Sequence, residues 1–291
     1  MFSKKIISKI TFCIFMFFSC VAFFVQAQEE SAEEAPAQEE NAPQQSQQKI
    51  KDFYLSNFKE DGSKEWEVEG KEAVIHEEYV DIDKMNANYY AENDVIKVTS
   101  DTAKLNKENM DVHLQGNVEI KNNEGVKLET NSLDWQRNQN YIQTEDIVKT
   151  TKDNMQITGK GLAADTQFKK ADFEEDVEVI FPDEGTGDVT TATCTGPLEI
   201  EYSAGMAIFN DNVIVTHPQG KLFSDKATLF FDTEGKQIIK VVSEGHVKIV
   251  KDNNRSFARK ATYYAPEQRI VLEGRPRIVY HPEEGKGLKF P

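Results

Sequence analysis

Asp81 and Asp83, two positions apart in the segment YVDIDKM, are the residues best placed to do chemistry. On a strand such a pair shares one face, and two carboxylates in an exported protein suit acid–base cleavage of a polysaccharide. Solubility alone also puts carboxylates on the wet face of a strand, so the spacing carries both readings. The five histidines, His76, His113, His217, His246 and His281, are scattered, with none at metal-ligand spacing from another. Ser203 in EYSAGM lacks the context of a nucleophile elbow, and no phosphate loop or dinucleotide fingerprint occurs. The expectation is a protein that is not an enzyme and carries no cofactor and no metal.

The elements that would position a site are bounded by composition. A chain of 291 residues, 38 % hydrophobic, supports one large domain or two small ones. Its 50 acidic against 34 basic residues give a net charge of −16, which argues against nucleic acid as a partner. The chain opens with Lys4, Lys5 and Lys9, an apolar run over residues 10–25 and the small-residue site Val25-Gln26-Ala27. This pattern predicts export, with residues 1–27 acting either as a cleaved signal peptide or as an N-terminal membrane anchor. Cys20 in FFSC offers lipid attachment as a third route. Residues 28–49 follow as an acidic, Gln- and Pro-containing linker that is expected to be disordered. Cys13 and Cys20 fall in the targeting segment, which leaves Cys194 without an intramolecular disulfide partner in the rest of the chain.

Beyond the linker the sequence repeats itself. QGNVEIKNNEG, TEDIVKTTKDN, EEDVEVIFPDEG, NDNVIVTHPQG and EGHVKIV follow one another at intervals of about 30 residues. Each is followed by a second alternating segment, such as VKLETNSLDW, MQITGKGLAA, KLFSDKATLFF or SFARKATYYA. The apolar period is two, with Asn-Asn, Asp-Asn and Glu-Gly turns between segments, so the prediction is strands throughout. Strands with one wet and one dry face must bring their dry faces together. The fold class expected is therefore all-β, an elongated jellyroll of short repeated strand pairs, formed as one or two consecutive jellyrolls. Trp135, Phe168, Phe173, Phe181, Phe209, Phe223, Phe230 and Tyr263 are the large residues assigned to the interior. Pro182–Asp188, PDEGTGD, reads as a loop or hinge.

Residues 114–181, with G-N-V opening a strand, then VKLETNSLDW, ITGKGLAAD and DVEVIF, resemble the lipopolysaccharide-transport periplasmic protein LptC. LSNFKEDGSKEWEVEGKEAVI, residues 55–75, looks like the first edge of that family. Residues 196–280, with NVIVTHPQGKLFSDKATLFFD and EGHVKIV ahead of ARKATYYAPEQRIVLEG, are similar instead to the OstA-like module of LptA and LptD. The domains expected are thus an LptC-like jellyroll over 50–183, an OstA-like jellyroll over 184–285 and a tail over 286–291. The resemblance implies a jellyroll, OstA-like in fold, whose interior holds acyl chains of lipopolysaccharide. Its implied partners are lipopolysaccharide, the inner-membrane lipopolysaccharide ABC transporter and other OstA-like jellyrolls joined by edge-strand pairing. It also implies a periplasmic location. Two features depart from the family: Val25-Gln26-Ala27 looks cleavable where LptC keeps its anchor, and the acidic linker is long.

Strand parity selects the residues that would face lipid. In the first half they are Val118, Ile120, Leu128, Leu133 and Trp135. In the second half they are Val213, Val215, Leu229, Phe231, Val247, Ile249, Tyr263 and Leu272. Lys221, Lys226, Arg255, Arg259 and Lys260 are either phosphate contacts or a solvated face. A structural or adhesive exported β-solenoid with a filled core and no lipid is the competing reading, and the enzyme reading ranks third.

Overall fold

The computed structural model describes residues 48–90, 95–123, 125–139, 141–152, 154–165, 169–182, 187–233 and 237–281. The targeting segment, all but the last two residues of the linker, Phe168 and the C-terminal tail lie outside these residues. The elements are β1 (Gln48–Phe58), β2 (Lys64–Ile75), β3 (Tyr79–Tyr90), β4 (Val95–Asn106), β5 (Val112–Lys121), β6 (Lys127–Gln136), β7 (Tyr141–Lys152), β8 (Met155–Asp165) and β9 (Lys170–Pro182). They continue with β10 (Val189–Cys194), β11 (Leu198–Glu201), β12 (Met206–His217), β13 (Gly220–Phe231), β14 (Ile238–Lys251), β15 (Asn254–Tyr264), β16 (Arg269–Glu273) and β17 (Arg277–Val279). Two short 3-10 turns, Arg137–Gln139 and Tyr202–Ala204, complete the set. The fold class is the all-β jellyroll class expected.

The chain divides into two compact units. The first comprises the residues up to Glu124 with Asp134–Asn138, and the second comprises Gly125–Leu133 and the chain from Gln139 onward. In the first unit β1 to β5 pair in sequence order, each antiparallel to the next. In the second unit β7, β8 and β9 pair in order, and β9 pairs with both β10 and β11. Both of these pair with β12, after which β13, β14 and β15 follow, with β16 and β17 both on β15. The ladder therefore runs across the PDEGTGD segment, with Pro182 opposite Val189.

The repeated sentence in the sequence is a repeated bulge. Asn117, Asp176, Asn212 and His246 each have a positive φ, and each immediately precedes a valine that is 1 % exposed, namely Val118, Val177, Val213 and Val247. Asn, Asp and His tolerate this conformation better than branched residues do. The extra residue bends the strand, so its two ends contribute to different parts of one interior while the valine fills the crease. The neighbouring strand supplies the other half of the device. Its acid sits over the bulge, as when Asp101 Oδ2 accepts from Asn117 Nδ2 at 2.6 Å and Asp225 Oδ2 meets His246 Nδ1 at 2.7 Å. Gly116 and Gly245 have positive φ and lie so close to these aspartates that a Cβ would collide with them.

That neighbouring strand switches face at the bulge. In β13, Leu222 and Ser224 point inward before it, and Ala227 and Leu229 do so after it. In β4, Ser100 is followed in the same way by Ala103 and Leu105, all buried. Two interior assignments made from the sequence are corrected here. Phe223 belongs to an uninterrupted alternation with Leu229 only if the bulge is ignored; with it, Phe223 lies on the outer face, opposite Lys248. Phe230 alternates with Leu229 and also faces outward, beneath Lys240.

Candidate functional site: an apolar cavity in the second unit

The inward face of β12 to β16 is built from cross-strand rows. Ala207, Leu229, Val241, Tyr263 and Ile270 stand opposite one another across five strands. Phe209, Ala227, Ser243, Ala261 and Leu272 form the adjacent row, and Val215, Leu222, Ile249 and Ser256 a third. Phe181 on β9 with Thr190 and Ala192 on β10 complete the lining of a cavity of about 230 Å³. Alanine recurs in these rows at Ala207, Ala227 and Ala261, where larger side chains would have met across the interior. Void space therefore remains where a packed core would place methyl groups. Ile238, Tyr263 and Ile270, 41 %, 37 % and 53 % exposed, line the cavity and open to solvent.

Five of the residues selected by parity, Val213, Val215, Leu229, Ile249 and Tyr263, line this cavity. Val247 is fully buried in the crease beside it. Leu272 is half-buried opposite Ala261, and the Phe231 ring lies 5.8 Å from that of Tyr202. Val118, Leu128 and Leu133 are buried in close packing, 1 to 2 % exposed. Ile120 and Trp135 are half-buried, and the indole Nε1 of Trp135 has no hydrogen-bond partner. Sequence reasoning missed Leu222, Val241, Ser243, Ala227 and Ala261 in this lining. The signal that finds them is cross-strand register, since an alanine opposite Phe209 or Ser243 is visible only once the strands are paired.

Thr190, Ser243 and Tyr263 are the hydroxyl-bearing residues in the cavity lining. Ser224 is 5 % exposed and its hydroxyl has no hydrogen-bond partner. Burial pushes the Cys194 thiol up to about 11, so it is held as the neutral, unreactive form. Among the described residues no group of three His, Cys, Asp or Glu side chains is placed to hold a metal ion.

In the first unit Asp81 and Asp83 do share a face, as their spacing requires. They line an open cleft on the wet side of β2 to β5, with Glu72, Val74, Lys104, His113 and Gln115. Cross-strand register puts Asp81 between Val74 and Lys104 and Asp83 between Glu72 and Thr102. His76 Nε2 lies 3.1 Å from the Asp81 carboxylate. His113 Nδ1 lies 2.6 Å from Asp134 Oδ1, and that carboxylate raises the imidazole pKa above its usual value. On the opposite, buried face, Ala73, Val80 and Leu105 pack with Phe53, Ile75, Ile82 and Val112.

The family model for LptC-related lipopolysaccharide-assembly proteins matches residues 13–181. The model for the LptA/LptD N-terminal domain lipopolysaccharide transport protein matches residues 197–288. Comparison with curated proteins gives no match. The first match covers more than half of the chain and the second falls on β12 to β16, which carry most of the cavity lining, so both halves carry transport modules. The chain belongs to the LptC-related lipopolysaccharide-assembly family, continues into an LptA/LptD-type module, and has a role in lipopolysaccharide transport.

Proposed function

We propose that the protein is a non-enzymatic periplasmic carrier that takes acyl chains of lipopolysaccharide into the cavity of its second unit. The observation that carries this reading is the cavity itself: about 230 Å³, lined by Phe209, Leu229, Val241, Ile249 and their neighbours, with an apolar rim. An apolar void of even about 150 Å³ stays dry and accepts an apolar ligand. Each methylene moved from water into such a space contributes about 0.8 kcal/mol.

Edge strands supply the means of linkage. Among the described residues β1 pairs with β2 alone, and Ile50, Tyr54, Leu55 and Phe58 on it are exposed. At the other terminus, among the described residues, β16 and β17 pair only with β15, and Ile270 and Ile278 are more than half exposed. Free backbone groups flanked by apolar side chains suit strand addition by another jellyroll. In this reading the LptC-like part receives lipid from the inner-membrane ABC transporter and the OstA-like part passes it outward.

The test is a photocrosslinker at Leu229, with a control at Thr228 on the opposite face, in cells making lipopolysaccharide. An adduct from Leu229 and none from Thr228 is the expected result. Absence of an adduct at both positions in folded, exported protein would overturn lipid carriage and favour a structural solenoid.

A further inference from the structure

The outer face of β13 to β17 carries an arrangement that the acyl cavity does not use. One cross-strand row reads Phe223, Lys248, Phe257, Arg277. A second reads Phe230, Lys240, Tyr264, Arg269. Both alternate an aromatic ring with a cation; neither row contains an acid, and beside the second Arg269 Nε donates to Glu267 Oε2 at 2.7 Å. In each row the cations sit over the rings: Lys248 is 5.1 Å from the Phe223 ring, Arg277 4.8 Å from Phe257, Lys240 4.4 Å from Phe230 and Arg269 4.6 Å from Tyr264. Between the rows Lys226, Glu244, Lys260 and Glu273 alternate in sign, with Lys260 and Glu244 3.4 Å apart. Lys221 and Arg255 extend the cationic face at its margin. In a chain of net charge −16 this concentration of bases on one face is a strong local departure.

We infer that this face docks on a bilayer containing anionic phospholipid. The occupant follows from the shape and the chemistry together. Adjacent strands lie about 4.8 Å apart, so the rows set their cations on β14 and on β16 or β17, either side of β15, while Lys221 and Lys226 on β13 widen the cationic face to four strands. Neither of the two clefts described above is lined by any of these cations. A plane of closely spaced phosphates matches such an array, whereas a single soluble anion needs convergent donors. Rings and aliphatic stems beneath the charges supply an apolar floor suited to the boundary between headgroup and acyl chain. The contact would lay the transport module against a membrane surface whether or not the cavity is loaded, and so goes beyond acyl-chain carriage.

The experiment measures partition of the full-length chain into phosphatidylcholine vesicles with and without phosphatidylglycerol. One variant replaces Lys221, Lys226, Lys240 and Lys248 with Gln. A second replaces the same four with Arg, and a third carries Lys51→Gln, Lys71→Gln, Lys97→Gln and Lys149→Gln at exposed positions elsewhere. The N-terminal apolar segment is common to all four chains and cancels in the comparison. Each cation removed from the face lowers the phosphatidylglycerol-dependent partition by about five-fold, added salt weakens it further, and the Arg set retains it. An equal loss in the third variant would overturn the proposal, as would partition that ignores phosphatidylglycerol. Lysine-dependent binding to lipopolysaccharide micelles with none to the vesicles would also overturn it, assigning the face to a lipopolysaccharide headgroup.

Discussion

The same pattern, Ser-Asp-x-Ala-x-Leu, occurs once in each unit and ends in two different interiors. In the first unit it is Ser100-Asp101-Thr102-Ala103-Lys104-Leu105, and in the second Ser224-Asp225-Lys226-Ala227-Thr228-Leu229. Both serines are buried with unpartnered hydroxyls, both aspartates hold the bulge of the next strand, and both alanines are 3 % exposed. The leucines diverge. Leu105 is 3 % exposed and packed with Ala73 and Val80, whereas Leu229 stands on a cavity wall between Ala207 and Val241. One local device thus shapes both units, and the residues on neighbouring strands decide whether its interior is filled or left open to a ligand.

The sharpest way to break this comparison is to truncate the two leucines. Leu105→Ala should destabilise the protein by about 2–5 kcal/mol, the usual cost of emptying a packed site. Leu229→Ala should cost about half as much or less in urea unfolding, because that side chain already borders a void. Equal losses would show that the second interior is as well packed as the first. Enlarging the alanines works in the opposite sense. Ala103→Leu overpacks a closed core and should cost about 1–3 kcal/mol. Ala227→Leu has room to enter and should leave thermal stability little changed, while it blocks uptake of a fluorescent acyl probe.

Smaller effects sharpen the likeness rather than the contrast. Ser100→Ala and Ser224→Ala each remove a buried hydroxyl without a partner, so each should be neutral or stabilising by up to about 1 kcal/mol in thermal unfolding. A loss in one variant alone would mean that the two creases are not equivalent. The smallest effect concerns pH. Because Asp134 raises the folded pKa of His113 above the usual 6.5, their interaction stabilises fully below that value and fades as pH rises through the folded pKa. Asp134→Asn should lower the His113 titration midpoint measured by NMR and flatten this small decline in stability, since both groups are nearly half exposed.

Strand identity was legible because period-two alternation and Asn-Asn or Glu-Gly turns act within a few residues. Val213, Val215, Leu229, Ile249 and Tyr263 were legible as one wall for the same reason. Phe223 was not, since the alternation within β13 reverses at Asp225, opposite the bulge residues Asn212 and His246 of the neighbouring strands, and nothing within KLFSDKATLFF announces that reversal. Ala227 and Ala261 were not legible either, because an alanine has no meaning as a cavity wall until its cross-strand neighbours are known. The aromatic–cation rows share this property: Phe223 and Lys248 are 25 residues apart in sequence and opposite each other only through register.

By itself the sequence determined that this is a repeated, alternating, all-β chain with the family marks of lipopolysaccharide transport, because periodicity, turn chemistry and motif are local. Tertiary structure alone decided which repeats close into a packed core and which leave a cavity. That outcome depends on the summed volume of side chains meeting from several strands, and no single strand contains it.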